Sequence, residues 1–168
     1  MQEIMKPSWI NLLKSEEAKE IAEKAKQSIK SYVESRKNLK ELGIIRNELS
    51  FQHNYAQWIV KNLLGLETVR TGKAPRYIAV DSQGKTYRIK SRIVKSLRDN
   101  TSFDMTDIEP PFDYLIGVFF TPEFEVLGII QVPYDAVVEL CFENSNSVRF
   151  RWNKESANDK RVKWIYLA

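Results

Sequence analysis

Two apolar runs constrain this chain more than any other feature: residues 113–120 and 126–132, with Thr121-Pro122-Glu123-Phe124 between them. Each has the length of a strand, and the intervening tetrapeptide reads as a turn, so strands lie at the centre of the fold. A hairpin precedes them. Residues 77–80 and 86–91 are predicted strands joined by Asp81-Ser82-Gln83-Gly84, a turn signal with glycine at its end. Residues 148–152 and 162–166 finish the chain as short strands.

Helices account for the first part. Residues 15–42 show apolar side chains at Ile21, Ala25, Ile29, Tyr32 and Val33, a stripe at helical spacing, with Ser15 as N-cap and Gly43 as stop. Glu16 and Glu17 stand in the first turn, where the helix dipole favours anions. A short helix over 8–13 is expected to pack Trp9 and Leu12 onto the same core. A second long helix, 47–64, presents Leu49, Tyr55, Ala56, Ile59, Val60 and Leu63, and Gly65 ends it. Thr71-Gly72-Lys73-Ala74-Pro75 is a polar link, and 93–98 continues the hairpin as a short helix or loop. Residues 99–111, acidic and ending in two prolines, are read as a mobile loop. Pro133 in a first helical turn opens a short helix through Leu140.

The predicted fold class is therefore α/β in the broad α+β sense, a mixed central sheet flanked by helices and not a doubly wound parallel fold. Residues 1–45 are expected to form an N-terminal helical extension, a candidate dimerisation element, and 46–168 the core of a single domain.

Composition narrows the functional classes. At 168 residues the chain is long enough to bury a core. No apolar run approaches the roughly 20 residues of a membrane span, and no secretory signal is visible, so a cytoplasmic protein with no membrane partner is expected. A single cysteine, Cys141, excludes an internal disulfide framework and a cysteine-built zinc cluster; its apolar neighbours mark it as a buried small hydrophobe. His53 is the one histidine, which excludes a histidine-rich metal site.

Charge is strongly segregated. Residues 70–98 carry nine basic side chains against Asp81 alone, a net +8. Residues 99–143 carry ten acids and no lysine or arginine, a net −10, and residues 144–168 carry +4. A stripe of this kind is what a polyanion-binding face looks like in sequence. The alternative is that the basic and acidic segments pair with each other across a sheet, and a further one is that they drive assembly with another molecule. Alternation along 86–91 and beyond puts Arg88, Lys90 and Arg92 on one strand face, with Ile89 and Ser91 on the other. Lys85 and Lys95 extend the row. Such a row suits contact with a nucleic-acid backbone, DNA being the expected form, independent of sequence; the structural alternative is an edge strand protected by charge. Tyr77, Tyr87 and Trp58 flank it as stacking candidates, or more simply as core aromatics.

His53-Asn54-Tyr55-Ala56-Gln57 on a helix, then Arg76-Tyr77-Ile78 before a turn, then Tyr87-Arg88-Ile89-Lys90-Ser91-Arg92, followed by Phe112-Asp113-Tyr114 opening an apolar strand, resemble the PD-(D/E)XK superfamily of restriction-endonuclease-like nucleases, over about residues 47–138. The resemblance implies that carboxylates on the helix and hairpin hold magnesium, which polarises the scissile phosphate and activates water, beside a lysine that offsets developing charge. On this alignment the acids fall on Gln57, Ile78 and Arg88, and Lys90 alone keeps its type. Ile78 offers a cation nothing, and a guanidinium about 4 Å from a divalent ion costs several kcal/mol. We therefore expect a nucleic-acid-binding pseudonuclease with no cofactor and no metal ligands. The rival expectation is a magnesium-dependent endonuclease with rearranged ligands, for which Asp81, Glu48, Asp104, Asp107 and Glu109 are the available acids, although Asp81 is better placed to serve its turn.

Overall fold

The strand Tyr114–Phe120 is apolar on both faces, and from Leu115 onward every residue in it is buried. A strand of this composition needs a layer on each side, and the structure, a computed structural model describing residues 8–41, 49–71, 76–109, 111–144 and 147–168, supplies both. In chain order a short 3-10 helix (Trp9–Leu12) leads to α1 (Glu16–Glu41), α2 (Leu49–Leu64), β1 (Glu67–Thr71), β2 (Arg76–Val80), β3 (Thr86–Ile93), β4 (Thr101–Asp104), β5 (Tyr114–Phe120) and β6 (Val126–Pro133). Then follow α3 (Tyr134–Leu140), β7 (Cys141–Asn144), β8 (Ser147–Trp152), α4 (Lys154–Asn158) and β9 (Lys163–Leu167). The fold is mixed α+β, the class expected from the sequence.

Six strands form the main sheet in the order β1-β2-β3-β5-β6-β9, and β4-β8-β7 form a second, antiparallel one. All neighbours in the main sheet run antiparallel except β3 and β5, which are parallel from Tyr87↔Tyr114 to Ile93↔Phe120. A parallel pair requires a crossover, and residues 94–113 make it by way of β4 in the other sheet. One face of the main sheet packs against the helices: Trp9, Ile10, Ala22, Ala56 and Ile59 share a core with Ile89, Ile116, Val118 and Ile129. The other face packs against the second sheet and α3, joining Leu115, Phe119, Ile130 and Val132 to Phe103, Phe150, Trp152 and Val137. Trp9, Ile10, Leu13, Ala18 and Ala22 of the N-terminal segment thus enter the same core as α2.

Local chemistry sets the boundaries. Ser15 caps α1, its Oγ accepting from the Ala18 N–H at 3.1 Å. Gly65 ends α2 at φ +67°, and the Leu66 N–H reaches back to the Lys61 carbonyl at 2.8 Å, the bond pattern of a Schellman motif. Asp81 closes the β2–β3 turn as expected, accepting from the N–H groups of Gln83 and Lys85 at 2.8 and 2.9 Å.

Several expectations need correction. Residues 99–111 are not a loop throughout: Thr101–Asp104 is β4, paired with β8 through Phe103↔Phe150. Its anchor is Phe103, whose ring occupies the space over Gly117; a Cβ there would come within 2.7 Å of Phe103 Cζ. In α1 the expected stripe holds at Ile29 and Val33, which pack against the core, but Ile21 is 46% exposed and the buried residues of the first turns are Ala18 and Ala22. Leu12 likewise points outward, and Ile10 and Leu13 fill the core beside Trp9. Pro133 is the N-cap of α3, with extended backbone, rather than part of its first turn. Strands β1 and β7 and helix α4 were not anticipated. The stop at Gly43, the helix start at Asn47, the acid Glu48, the link 72–75 and the side chains of Tyr77 and Ile78 lie outside the described residues.

Candidate functional site

Strand β3 lies between β2 and β5, and its alternation divides residues 87–92 between two environments. Tyr87, Ile89 and Ser91 face α2: Ile89 is buried, and the Ser91 hydroxyl accepts from Gln52 Nε2 at 3.0 Å. Arg88, Lys90 and Arg92 face the other way, as expected, but their face is not open. Strand β4 and residues 105–109 lie against it. The Arg88 guanidinium donates to the carbonyls of Met105 and Glu109 (3.4 Å each) and of Asp107, sits 3.4 Å from the Asp107 carboxylate, and stacks 4.7 Å from the centre of the Phe112 ring. Arg92 Nε donates to the Ser102 carbonyl. Basic and acidic segments therefore meet within the chain here, the pairing that the charge pattern left open.

Lys90 is different. It stands between the two arginines, half-buried and registered with Gly117 of β5, and among the described residues its ammonium has neither a hydrogen bond nor an ion pair. Burial, and then the Arg88 and Arg92 charges, lower its pKa below the ordinary lysine value, while Asp104 and Asp107 pull the other way. Asp107 offsets part of the Arg88 charge, while the Arg92 guanidinium is met by the Ser102 carbonyl, so positive potential persists around an ammonium that has no ion pair among the described residues. Lys85 and Lys95 are exposed at the two ends of the strand; Lys85 Nζ is 3.4 Å from Asp113 Oδ1, and Asp99 accepts from the Lys95 N–H at 3.1 Å.

On α2, Gln57 Nε2 and His53 Nε2 are 3.0 Å apart. Burial, followed by the Lys90 charge, lowers the His53 pKa. Of the positions the resemblance aligns, Gln57 stands on α2 and Arg88 and Lys90 on the β3 face turned away from it, so the helix position and the strand positions do not share a face, while Ile78 is placed by its backbone alone, opposite Val69. An amide, a guanidinium and an ammonium do not fit a divalent cation. The acids available as replacements are engaged separately. Asp81 also accepts from the Tyr87 hydroxyl at 3.0 Å; burial would raise its pKa, but bonds from Lys85, Tyr87 and Gln83 hold it below the usual carboxylate range. Asp104 accepts from the Thr106 N–H at 2.9 Å, Asp107 faces Arg88, and Glu109 accepts from the Tyr134 hydroxyl at 3.2 Å. No group of three or more His, Cys, Asp or Glu among the described residues is arranged to hold a metal ion.

Two of the aromatic candidates pack within the fold. Tyr87 stacks on Tyr114 with ring centres 5.4 Å apart, and Trp58 packs half-buried against the helical core. Cys141 packs partly buried beside the second core, and burial with the neighbouring Glu143 pushes its thiol up to about 11. No helix among the described residues is long and apolar enough to cross a membrane. Two features escaped sequence reasoning. Gln52 carried no signal, being one polar residue on an otherwise apolar helix face. Arg149 and Arg151, by contrast, stand at strand spacing around Phe150, which is the signal that placed Arg88, Lys90 and Arg92. Compared with known proteins, the chain matches no family model and no curated protein.

Proposed function

We propose that this chain binds nucleic acid, with duplex DNA the expected partner, through the basic row on β3, and that it does so as a non-cutting relative of metal-dependent nucleases. The observation that carries the reading is Lys90: a half-buried ammonium, flanked by two fixed guanidiniums, with Asp104 and Asp107 nearby but with no ion pair or hydrogen bond among the described residues. A backbone phosphate is the anion it lacks. Arg88, held by carbonyls and paired with Asp107, and Arg92, held by the Ser102 carbonyl, keep the row's shape; Lys85 and Lys95 add exposed charge at its ends. Amide, aliphatic and guanidinium groups at the aligned acidic positions argue against metal-assisted hydrolysis. A reducing, cytoplasmic setting suits a chain with one cysteine.

Fluorescence anisotropy with a labelled DNA duplex at about 50 mM salt tests this, repeated as salt rises, since phosphate contacts give affinity a linear log–log salt dependence. Lys90→Ala is expected to weaken binding several-fold, equally across sequences, and to reduce the salt slope by about one. No binding at low salt, or a variant indistinguishable from the parent, sinks the reading. Incubation of the same duplex with magnesium or manganese is expected to leave it intact. Cleavage that disappears in both Lys90→Ala and Asp81→Ala would replace the proposal with an endonuclease of rearranged ligands.

A further inference from the structure

The second sheet turns one face to the main core and leaves the other uncovered by any described residue. Phe103, Phe150 and Trp152 point inward. Alternation sends Ser102 and Asp104 of β4, Arg149 and Arg151 of β8 and Phe142 of β7 outward, and the register sets them side by side: Ser102 opposite Arg151, and Arg149 between Asp104 and Phe142. Phe142 is 43% exposed, and the Arg151 guanidinium lies over its ring, 4.1 Å from the centre. Beside this pair is a concavity of about 370 Å³ whose rim includes Asn100, Ser102 and Asn153. Asn153 Oδ1 is tied to the Ser156 N–H, which leaves the amide NH₂ as its remaining donor.

Two cations, a flat aromatic face and amide and hydroxyl groups make an unusual surface combination. Arg149 and Arg151 have no ion pair among the described residues. Asp104, the carboxylate in register with Arg149, is already engaged by the Thr106 N–H. A phosphate matches Arg149, a planar base matches the platform of Phe142 and Arg151, and base edges match Asn and Ser. The volume is at the lower end for ligand sites, which suits one nucleotide and not a longer groove. A duplex keeps its bases stacked inside and cannot use the ring, whereas a single strand offers both groups together.

We infer that this outer face, built on Phe142, Arg149 and Arg151, is a second nucleic-acid site that takes one nucleotide of a single strand, its base stacked on Phe142 and its phosphate on Arg149. It lies on the opposite surface of the second sheet from the core that sheet shares with β3's neighbours, so it stands or falls independently of Lys90.

The test is anisotropy of a labelled oligothymidylate at about 50 mM salt, where phosphate contacts are strongest. Phe142→Ala is expected to weaken binding about tenfold, the usual worth of one stacked base, and Phe142→Tyr to restore it. The double variant Arg149→Ala/Arg151→Ala is expected to lose at least as much, while Lys26→Ala/Lys30→Ala, which removes an equal charge from exposed positions on α1, stays within about twofold. Each variant is accepted once its thermal midpoint matches the parent's. Competition separates two sources of the same chemistry: displacement by a nucleoside monophosphate marks a mononucleotide site, and displacement by oligonucleotides alone marks a strand site, the outcome we expect. Displacement by the monophosphate alone overturns the strand assignment. Unchanged oligothymidylate affinity in the folded double variant overturns the site altogether.

Discussion

Strands β3 and β8 carry nearly the same text, Arg88-Ile89-Lys90-Ser91-Arg92 and Arg149-Phe150-Arg151, and put it to opposite uses. In both, alternation throws the cations to one face and an apolar residue to the other. On β3 the cationic face lies under β4 and residues 105–109, and its arginines hold backbone carbonyls. On β8 it is the outer surface, and the arginines are exposed. Spacing along a strand therefore decides which residues share a face, while the covering of that face is decided elsewhere in the chain. Here it is decided by Phe103, which sits on Gly117 and brings β4 down over the row.

The strongest way to break the contrast is to remove that anchor. Phe103 is 1% exposed and stacks with Phe119 and Phe150 at ring separations of 5.3 and 6.4 Å. Phe103→Ala leaves a cavity above Gly117 that the surrounding strands cannot fill, and a loss of about 3–5 kcal/mol in urea unfolding is expected. A loss below about 1 kcal/mol would mean that β4 is not held by this contact, and the distinction between covered and uncovered rows would have to rest on something else.

The next effect is the difference between the two kinds of arginine. Arg88→Ala removes the donors of three loop carbonyls and a guanidinium stacked on Phe112, and about 2 kcal/mol of destabilisation is expected from the unmade hydrogen bonds. Arg149→Ala touches nothing buried, and its stability should stay within about 0.5 kcal/mol of the parent. Equal costs in the two variants would erase the comparison.

How far these arrangements could be read in advance follows from where each is encoded. The hairpin was legible because its determinants are local: two β-rich segments and an Asp81 whose side chain closes the turn. Both apolar strands were legible for the same reason. Strand β4 was not, since Thr101-Ser102-Phe103-Asp104 has one apolar residue among acids and prolines, and it becomes a strand only by pairing with β8, nearly fifty positions on. Helix α1 was recognised and its stripe placed at Ile29 and Val33, but Ile21 was misplaced, because burial in the first turns falls on Ala18 and Ala22 and not on the larger side chain. At the candidate site, the shared face of Arg88, Lys90 and Arg92 was legible from alternation. That Asp107 and the carbonyls around it would claim Arg88 was not, because charge segregation shows that two segments attract and not which side chains meet.

The smallest expected effect sharpens the case for Lys90. Its ammonium is disfavoured by burial and by two neighbouring guanidiniums, so its pKa in the folded chain lies below the ordinary value of 10.5. Between the lowered value and 10.5 the unfolded chain binds more protons than the folded one, and stability should rise with pH across that window. Below it both states are protonated and the cost is fully present. Lys90→Met keeps an unbranched apolar stem while removing the charge, so at neutral pH the variant should equal or exceed the parent in stability, by less than about 1 kcal/mol, and the gap should close as pH approaches 10.5. The same substitution should weaken duplex DNA binding. A group that costs stability and supplies affinity is kept for what it binds. Urea unfolding of both proteins between neutral and alkaline pH measures the first half of this, and anisotropy the second. A variant less stable than the parent at neutral pH, with the gap unchanged up to 10.5 and closing only above it, would give the ammonium a stabilising role inside the fold and remove the reason to assign it a phosphate.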